Sequence, residues 1–571
     1  MAVQDKSCYV VGIGASAGGL EALNYFFNNL SDSTGMTFVV IQHLAPDHDS
    51  HMVDLLAKHT TMDVCQAEDG MEVEQDSIYL IPPNHNLTIF KNQLYLAPRT
   101  SNKYNLNLPI DIFFESLAED KRDQAIGIVL SGTGSDGTRG IRAIKDHNGL
   151  VMAQNEASAK FSAMPNNAVA TGLVDYVLHP KEMGDSLLEY TDHFHANKVD
   201  VPKKETREDN KLDKVLAIIK KELDIDFTYY KDNTIVRRLE RRMAINQTED
   251  IDDYIELLET TSHEVETLYR ELLIGVTKFF RDKEAFAHLE EEVIPQIIAN
   301  KSSGDEIRVW VPACSTGEEV YSLAILFKEY IATHQDHFEL KIFATDISQK
   351  SIKRASIGQY PESIAGEIEI ERLQKYFIKE GNNYRISKEI REMTIFSVHN
   401  IIEDPPFHKI DLISCRNLLI YFEKALQQKV LALFHFSLLV DGFLLLGSSE
   451  SIGEMDQYFS TYNSKWRIYQ YIERSERPAQ LDLMSNIGSS HLREEDSNRV
   501  NHNSAVDKSQ QIDNITQAVL KECIGDTAII NRDNQIVHVI GDLNPYLQLS
   551  VGKLSLDILD MADEDFTLSN C

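Results

Sequence analysis

Apolar residues in the first third of the chain fall in short unbroken runs rather than in alternation. Val10-Val11, Phe38-Val39-Val40-Ile41 and Ala125-Ile126-Gly127-Ile128-Val129-Leu130 each lead into small or polar residues, the pattern of strands covered on both faces of a parallel sheet. From residue 212 the spacing becomes helical, with Leu212, Val215, Leu216 and Ile219 on one stripe. Strand-like runs return at Ile307-Arg308-Val309-Trp310-Val311 and Leu340-Lys341-Ile342-Phe343-Ala344. Polar, charged stretches at 191–211 and 481–515 separate these segments and read as linkers. In the last stretch, 516–571, the segment 527–541 predicts a hairpin turning at Arg532-Asp533-Asn534.

Composition narrows the partners. At 571 residues there is room for about four domains of roughly 150 residues. A formal net charge of −33 argues against nucleic-acid binding, which needs a positive footprint. Cys8, Cys65, Cys314, Cys415, Cys523 and Cys571 include no C-x-x-C pair or metal spacing. With no signal peptide and no long apolar span, this predicts a cytoplasmic setting and no direct membrane insertion. His43, His48, His51 and His59 lie close in sequence without a cysteine or an outer-shell partner, so no metal is expected.

The first turn admits two chemistries. Gly12, Gly14 and Ala17 fit the dinucleotide pattern G-x-G-x-x-G/A, whereas Gly14-Ala15-Ser16-Ala17-Gly18 fits the hydrolase elbow G-x-S-x-G. A dinucleotide site needs an acid at the tip of the second strand; the chain supplies Gln42-His43 there instead. Neighbouring parallel strands end at one edge, which allows His43 to serve Ser16 as a general base. The loop after the third run offers Asp136 to orient the imidazole. The bland alternative is that Gly14 and Gly18 only permit close helix–strand packing and that His43 is a surface or packing residue.

The segments 12–19, Gln42-His43-Leu44-Ala45-Pro46, 130–137 and Asn155-Glu156-Ala157-Ser158-Ala159 resemble the catalytic domain of the chemotaxis protein-glutamate methylesterases (CheB), over residues 1 to about 185. The resemblance implies a Ser16–His43–Asp136 triad that hydrolyses a glutamyl methyl ester to carboxylate and methanol. It also implies an oxyanion site that includes the backbone amide of Thr133, where other members often carry Met. Standard members bear an amino-terminal receiver domain over the active site. Here the first strand begins within about ten residues, so no phosphorylation switch of that type is expected.

A second strand–turn–helix unit runs through Pro312-Ala313-Cys314-Ser315-Thr316-Gly317 into Glu318-Glu319, and its next strand ends at Thr345-Asp346, the strand-tip acid that the first unit lacks. One glycine in the turn disfavours a pyrophosphate and favours a nucleoside with a compact tail, such as S-adenosylmethionine. Together with 237–242, 277–281, 398–401 and Cys415-Arg416-Asn417-Leu418-Leu419-Ile420-Tyr421-Phe422, this unit resembles the chemotaxis receptor methyltransferases (CheR) over about 212–475. The resemblance implies S-adenosylmethionine, leaving as S-adenosylhomocysteine, held by Thr277, Arg281, Glu319, Asp346, Asn400, Ile401, Arg416 and Asn417, with Tyr421 near the transferred methyl. Gly275 stands where some members have a cofactor-contacting Asn. Arg237, Arg238, Arg241 and Arg242 lie one turn apart and form a cationic stripe. By themselves they read as a solvated face; the resemblance shifts that reading to docking on an acidic receptor.

The expected fold class is α/β: two Rossmann-like parallel-sheet catalytic domains separated by a small all-α helical domain, with a C-terminal α+β fragment similar to the start of a PAS sensory domain. The expected boundaries are 1–190 for the methylesterase, 212–290 for the helical subdomain, 291–480 for the methyltransferase and 516–571 for the PAS-like segment. The expected function is bifunctional, removing methyl groups from and adding them to glutamates of a methyl-accepting chemotaxis-type receptor or other signalling protein. The competing readings are a signalling scaffold that binds nucleosides or partners without turnover and, weakest, a nicotinamide oxidoreductase built on Gly12, Gly14 and Ala17.

Overall fold

In a computed structural model the described residues are 9–43, 52–99, 107–196, 211–273, 275–333 and 337–472, with the strand residues 527–530 and 536–540. They fall into two compact units divided between Ser485 and Asn486.

The first unit opens with a seven-stranded sheet made of β1 (Val10–Ala15), β2 (Thr37–Gln42), β3 (Asp63–Gln66), β4 (Ser77–Leu80), β5 (Ala125–Val129), β6 (Leu150–Gln154) and β7 (Tyr176–Leu178). The strand order is β7-β6-β5-β1-β2-β4-β3, parallel throughout. β1 and β5 are buried at every position, as a sheet covered on both faces requires. Four of the covering helices matter below: α1 (Gly19–Asn28), α2 (Pro109–Lys121), α3 (Thr138–Asp146) and α4 (Pro180–Ala196). α4 continues past the boundary expected at residue 190.

Helices α5 (Lys211–Leu223), α6 (Asp232–Asn246), α7 (Ile251–Thr260) and α8 (Ser262–Leu272) follow. They close around a core of Val215, Ile219, Leu239, Tyr254, Leu258, Val265 and Leu268. Asp250 caps α7 by accepting hydrogen bonds from the N–H groups of Asp252 and Asp253.

A second seven-stranded sheet is built from β8 (Glu306–Pro312), β9 (Glu339–Asp346), β10 (Thr394–Val398), β11 (Ile410–Cys415), β12 (Leu438–Leu446), β13 (Phe459–Asn463) and β14 (Ile468–Tyr471). Its order is β10-β9-β8-β11-β12-β14-β13. The first five strands are parallel and the last two add antiparallel. Helix α9 (Glu318–Ile331) leaves the turn after β8. In both sheets the chain reverses its direction of winding beside the first strand, β1 or β8, the place where open α/β sheets form a crevice. Among the described residues no helix is long and apolar enough to cross a membrane.

In the second unit, Thr527–Ile530 and Ile536–Ile540 pair antiparallel, Thr527 opposite Ile540. The expected turn at 532–534 and the remainder of the PAS-like segment lie outside the described residues.

Candidate functional sites

Ser16 and His43 each stand one residue beyond a paired strand end, because Ala15 of β1 is in register with Gln42 of β2. The turn after β1 is tied to the loop after β5: Ser16 N–H donates to the Ser131 carbonyl at 3.0 Å. The Ser131 hydroxyl in turn donates to the Ala17 carbonyl at 2.9 Å. His43 is fixed by its own N–H, which donates to the Ala15 carbonyl. Its Nε2 lies 2.8 Å from Asp136 Oδ2. Asp136 is buried and accepts further hydrogen bonds from the N–H groups of Ile110, Asp111 and Gly137 at 3.1, 2.9 and 2.9 Å. Ile110 and Asp111 open α2, where N–H groups have no partner within the helix; the carboxylate therefore takes the place of a cap. A carboxylate bonded to Nε2 places the proton on that nitrogen and leaves Nδ1 as the basic one.

Asp111 sits directly behind. Its Oδ1 accepts from Gly140 N–H at 2.8 Å, and burial, with the Asp136 charge second, pushes its carboxyl well above the usual range. Thr133 is exposed in the same loop. Sequence reasoning missed Gln154, whose Oε1 accepts from Ser131 N–H at 2.8 Å, because nothing in the motifs ties β6 to the loop.

The two strand glycines serve packing. A Cβ on Gly12 would stand 2.8 Å from Phe114 Cε1, and one on Gly14 2.5 Å from Ile110 Cγ2. Both neighbours belong to α2, so these glycines let that helix lie against β1. His59 of the histidine group bonds Asn28; His48 and His51 lie outside the described residues.

The second site is an open pocket at the carboxyl edge of the second sheet. Thr277, Arg281, Glu319, Asp346, Asn400, Ile401, Arg416, Asn417 and Tyr421 all line it. Asp346 Oδ2 accepts from Ser315 N–H and Oδ1 from Ser348 N–H, each at 2.8 Å. Each oxygen keeps a lone pair for a hydroxyl donor. Burial raises the Asp346 carboxyl above its ordinary value. Ala313, Ser315 and Asn417 adopt left-handed φ of 52°, 48° and 61°, sparsely populated for residues with a Cβ and typical of binding turns. Glu319 accepts from the Ser414 hydroxyl at 2.6 Å and from Arg416 Nη1 at 3.1 Å. Arg416 Nη2 also donates to Asp282. The pocket therefore holds a carboxylate at the strand tip, a guanidinium at Arg281 and apolar walls, a donor set that fits a nucleoside carrying an amino-acid tail.

Gly275 is held through its backbone. Its carbonyl accepts from the Ser315 hydroxyl at 2.7 Å, and a Cβ there would stand 3.1 Å from that oxygen. Glu450, unmarked by any motif, accepts from the N–H groups of Gly447, Asn417 and Ile420 at 2.6, 3.0 and 3.3 Å. It thereby anchors the 417–421 segment from 30 residues away.

The arginine stripe departs from expectation. Only Arg237 is exposed; Arg238, Arg241 and Arg242 are 4, 0 and 7% exposed. Arg241 donates to Glu271 at 2.6 Å and to Asp175 at the start of β7, and Arg242 donates to Glu264 at 2.8 Å. Burial opposes ionisation of Glu271, yet Arg241, Lys145 and Arg242 outweigh it and hold its carboxyl well below the usual range. Charge pattern alone read this face as open; partners distant in sequence close it, so these three side chains are not a free docking surface in this structure.

Residues 11–187 match the CheB methylesterase model, 210–273 the all-alpha domain of CheR methyltransferase and 275–468 its SAM binding domain. An "Uncharacterized 104.1 kDa protein in hypE 3'region" of Rhodobacter capsulatus is 34% identical over 530 residues, 89% of this chain and 55% of its own length; the chain thus spans about half of that relative. A Listeria innocua "Chemotaxis protein methyltransferase" is 32% identical over 44% of this chain and 94% of its own. A Leptospira interrogans "Putative protein-glutamate methylesterase/protein-glutamine glutaminase" is 32% identical over 30% of this chain and 90% of its own. The crystal structure of the Thermotoga maritima CheB methylesterase catalytic domain is 29% identical, with 98% of that chain covered and a TM-score of 0.30. With relatives of both kinds covered almost end to end, the chain belongs to the CheB methylesterase and CheR methyltransferase families, joined in series.

Proposed function

We propose that the protein hydrolyses glutamyl methyl esters at Ser16 and methylates protein glutamates in the Asp346 pocket, acting on methyl-accepting chemotaxis-type receptors. The observation that carries the first half is the buried Asp136 carboxylate, held by three backbone N–H groups and bonded to His43 beside the Ser16 turn. His43 Nδ1 takes the Ser16 proton as the hydroxyl attacks the ester carbonyl and gives it to the departing methoxide, leaving an acyl-Ser16 ester. A water molecule deprotonated by the same Nδ1 then attacks that ester, releasing the glutamate carboxylate and restoring Ser16. Asp136 stabilises the imidazolium formed between these steps. Thr133 N–H is the proposed oxyanion donor.

In the second half, S-adenosylmethionine supplies an electrophilic sulfonium methyl when bound. We assign Asp346 to the ribose hydroxyls, Arg281 to a carboxylate, and Asn400 and Ile401 to the base, on the support that all four line one pocket. Tyr421 closes the pocket near the reacting end; burial, with the Asp146 charge second, pushes its phenol up to about 12, so it stays neutral at physiological pH. A glutamate carboxylate is already ionised near neutrality, so the residues chiefly align it and exclude water.

Incubation with methyl-labelled S-adenosylmethionine and receptor membranes tests both halves. Label is expected first on protein and then in methanol. Binding of S-adenosylhomocysteine with neither transfer nor methanol release would instead support a non-catalytic scaffold.

A further inference from the structure

Helix α3 begins directly after the Asp136-Gly137 loop of the methylesterase and presents one face to the methyltransferase. Its charged residues at helical spacing all find partners there or at the boundary. Arg139 lies 3.7 Å from Glu367, Arg142 donates to Glu318 at 3.3 Å, and Lys145 donates to Glu271 at 3.1 Å. Asp146, the last residue of the helix, lies 3.7 Å from Arg281. A negative charge at a helix C-terminus opposes the helix dipole. Its position is therefore accounted for by what it faces outside the helix.

Arg281 lines the cofactor pocket. Its Nη1 donates to the Val276 carbonyl at 3.1 Å, while Nη2 faces Asp146 Oδ2. The carbonyl that accepts from Nη1 and the carboxylate 3.7 Å from Nη2 together orient the planar fork and reduce the rotamer freedom lost when a ligand carboxylate binds. The pair is partly exposed, with side chains 23 and 26% accessible. It therefore contributes little to folding, and its consequence is orientation.

We infer that Asp146 of the methylesterase domain is a positioning residue for the methyltransferase, holding Arg281 so that its guanidinium meets the amino-acid carboxylate of the cofactor. The cofactor site is then completed by the neighbouring catalytic domain. This rests on the reading of the Asp346 pocket as an S-adenosylmethionine site.

Titration calorimetry of the full chain with S-adenosylhomocysteine tests it, using wild type, Asp146→Asn, Asp146→Glu and, as control, the exposed-surface variant Glu119→Gln. Asp146→Asn is expected to weaken binding about threefold to tenfold and to raise KM for S-adenosylmethionine with little change in kcat. Ester hydrolysis and Tm should stay unchanged. Asp146→Glu should recover most of the affinity, and Glu119→Gln should match wild type. Affinity of Asp146→Asn within twofold of wild type, or tighter, overturns the assignment, as does a loss that Asp146→Glu does not recover. Absence of binding by wild type overturns the cofactor reading itself, and this inference with it.

Discussion

The turn after β1 and the turn after β8 start from one plan, a buried parallel strand leading through a short loop into a helix, and they diverge in what closes the space above. After β1, Gly12 and Gly14 let α2 lie against the strand, and Ser16 follows the strand tip, with His43 just beyond the neighbouring strand end. After β8, Ala313 and Ser315 take left-handed φ in a loop that lines an open pocket, and the neighbouring strand ends in Asp346. In the proposed function, the residue at the second strand's tip, imidazole or carboxylate, separates acyl chemistry from nucleoside binding. Glycine spacing in the first strand decides nothing, since packing consumes it.

The comparison can be broken most severely at Asp136. Asp136→Asn should lower kcat for ester hydrolysis about 10⁴-fold by favouring the wrong imidazole tautomer, with binding of S-adenosylhomocysteine unchanged; stopped assays of methanol release read the loss. Next in size is a contribution at Glu367, where the two regions meet. Its Oε2 accepts from Phe279 N–H at 2.8 Å, and burial pushes its carboxyl from 4.5 to about 7, against the pull of Arg139 and Arg142. A carboxyl raised on folding gives stability that is complete below the unfolded value, near 4.5, and lost as pH rises through about 7. That loss is on the order of 3 kcal/mol. Glu367→Gln should flatten the pH dependence of Tm across this window, and an unchanged slope would remove Glu367 as its source.

A smaller effect is expected in the second region. Asp346→Ala removes an acceptor of two loop N–H groups and of the proposed ribose contacts, and should weaken S-adenosylhomocysteine roughly tenfold to a hundredfold by calorimetry. Ester hydrolysis should be spared. Similar in size is Gly14→Ala, whose Cβ would press on Ile110. It should cost about 1–3 kcal/mol of stability, read as a lower Tm. If Gly14→Ala left Tm intact, the packing role of the first-strand glycines would be wrong.

Much of this was legible in sequence because it is local. Unbroken apolar runs ending in motif loops located both sheets, and motifs at 277–281, 313–319, 344–346, 398–401 and 415–422 converge on one pocket because parallel strands share a carboxyl edge. What sequence did not disclose is what depends on distant partners. Arg241 has the spacing of an exposed stripe and is buried against Asp175 and Glu271, 66 and 30 residues away. Glu450 and Asp146 carry no motif at all; each acts on a loop supplied by another part of the chain.

The central claim is that two separate sites in one chain perform opposite reactions. The most direct test is methanol release from a glutamyl-methylated receptor by Ser16→Ala, measured beside its transfer of labelled methyl groups to the unmethylated receptor. The account predicts that release falls to background while transfer stays within about twofold of wild type. Full hydrolysis by Ser16→Ala, or loss of transfer in a variant that still folds, would contradict it.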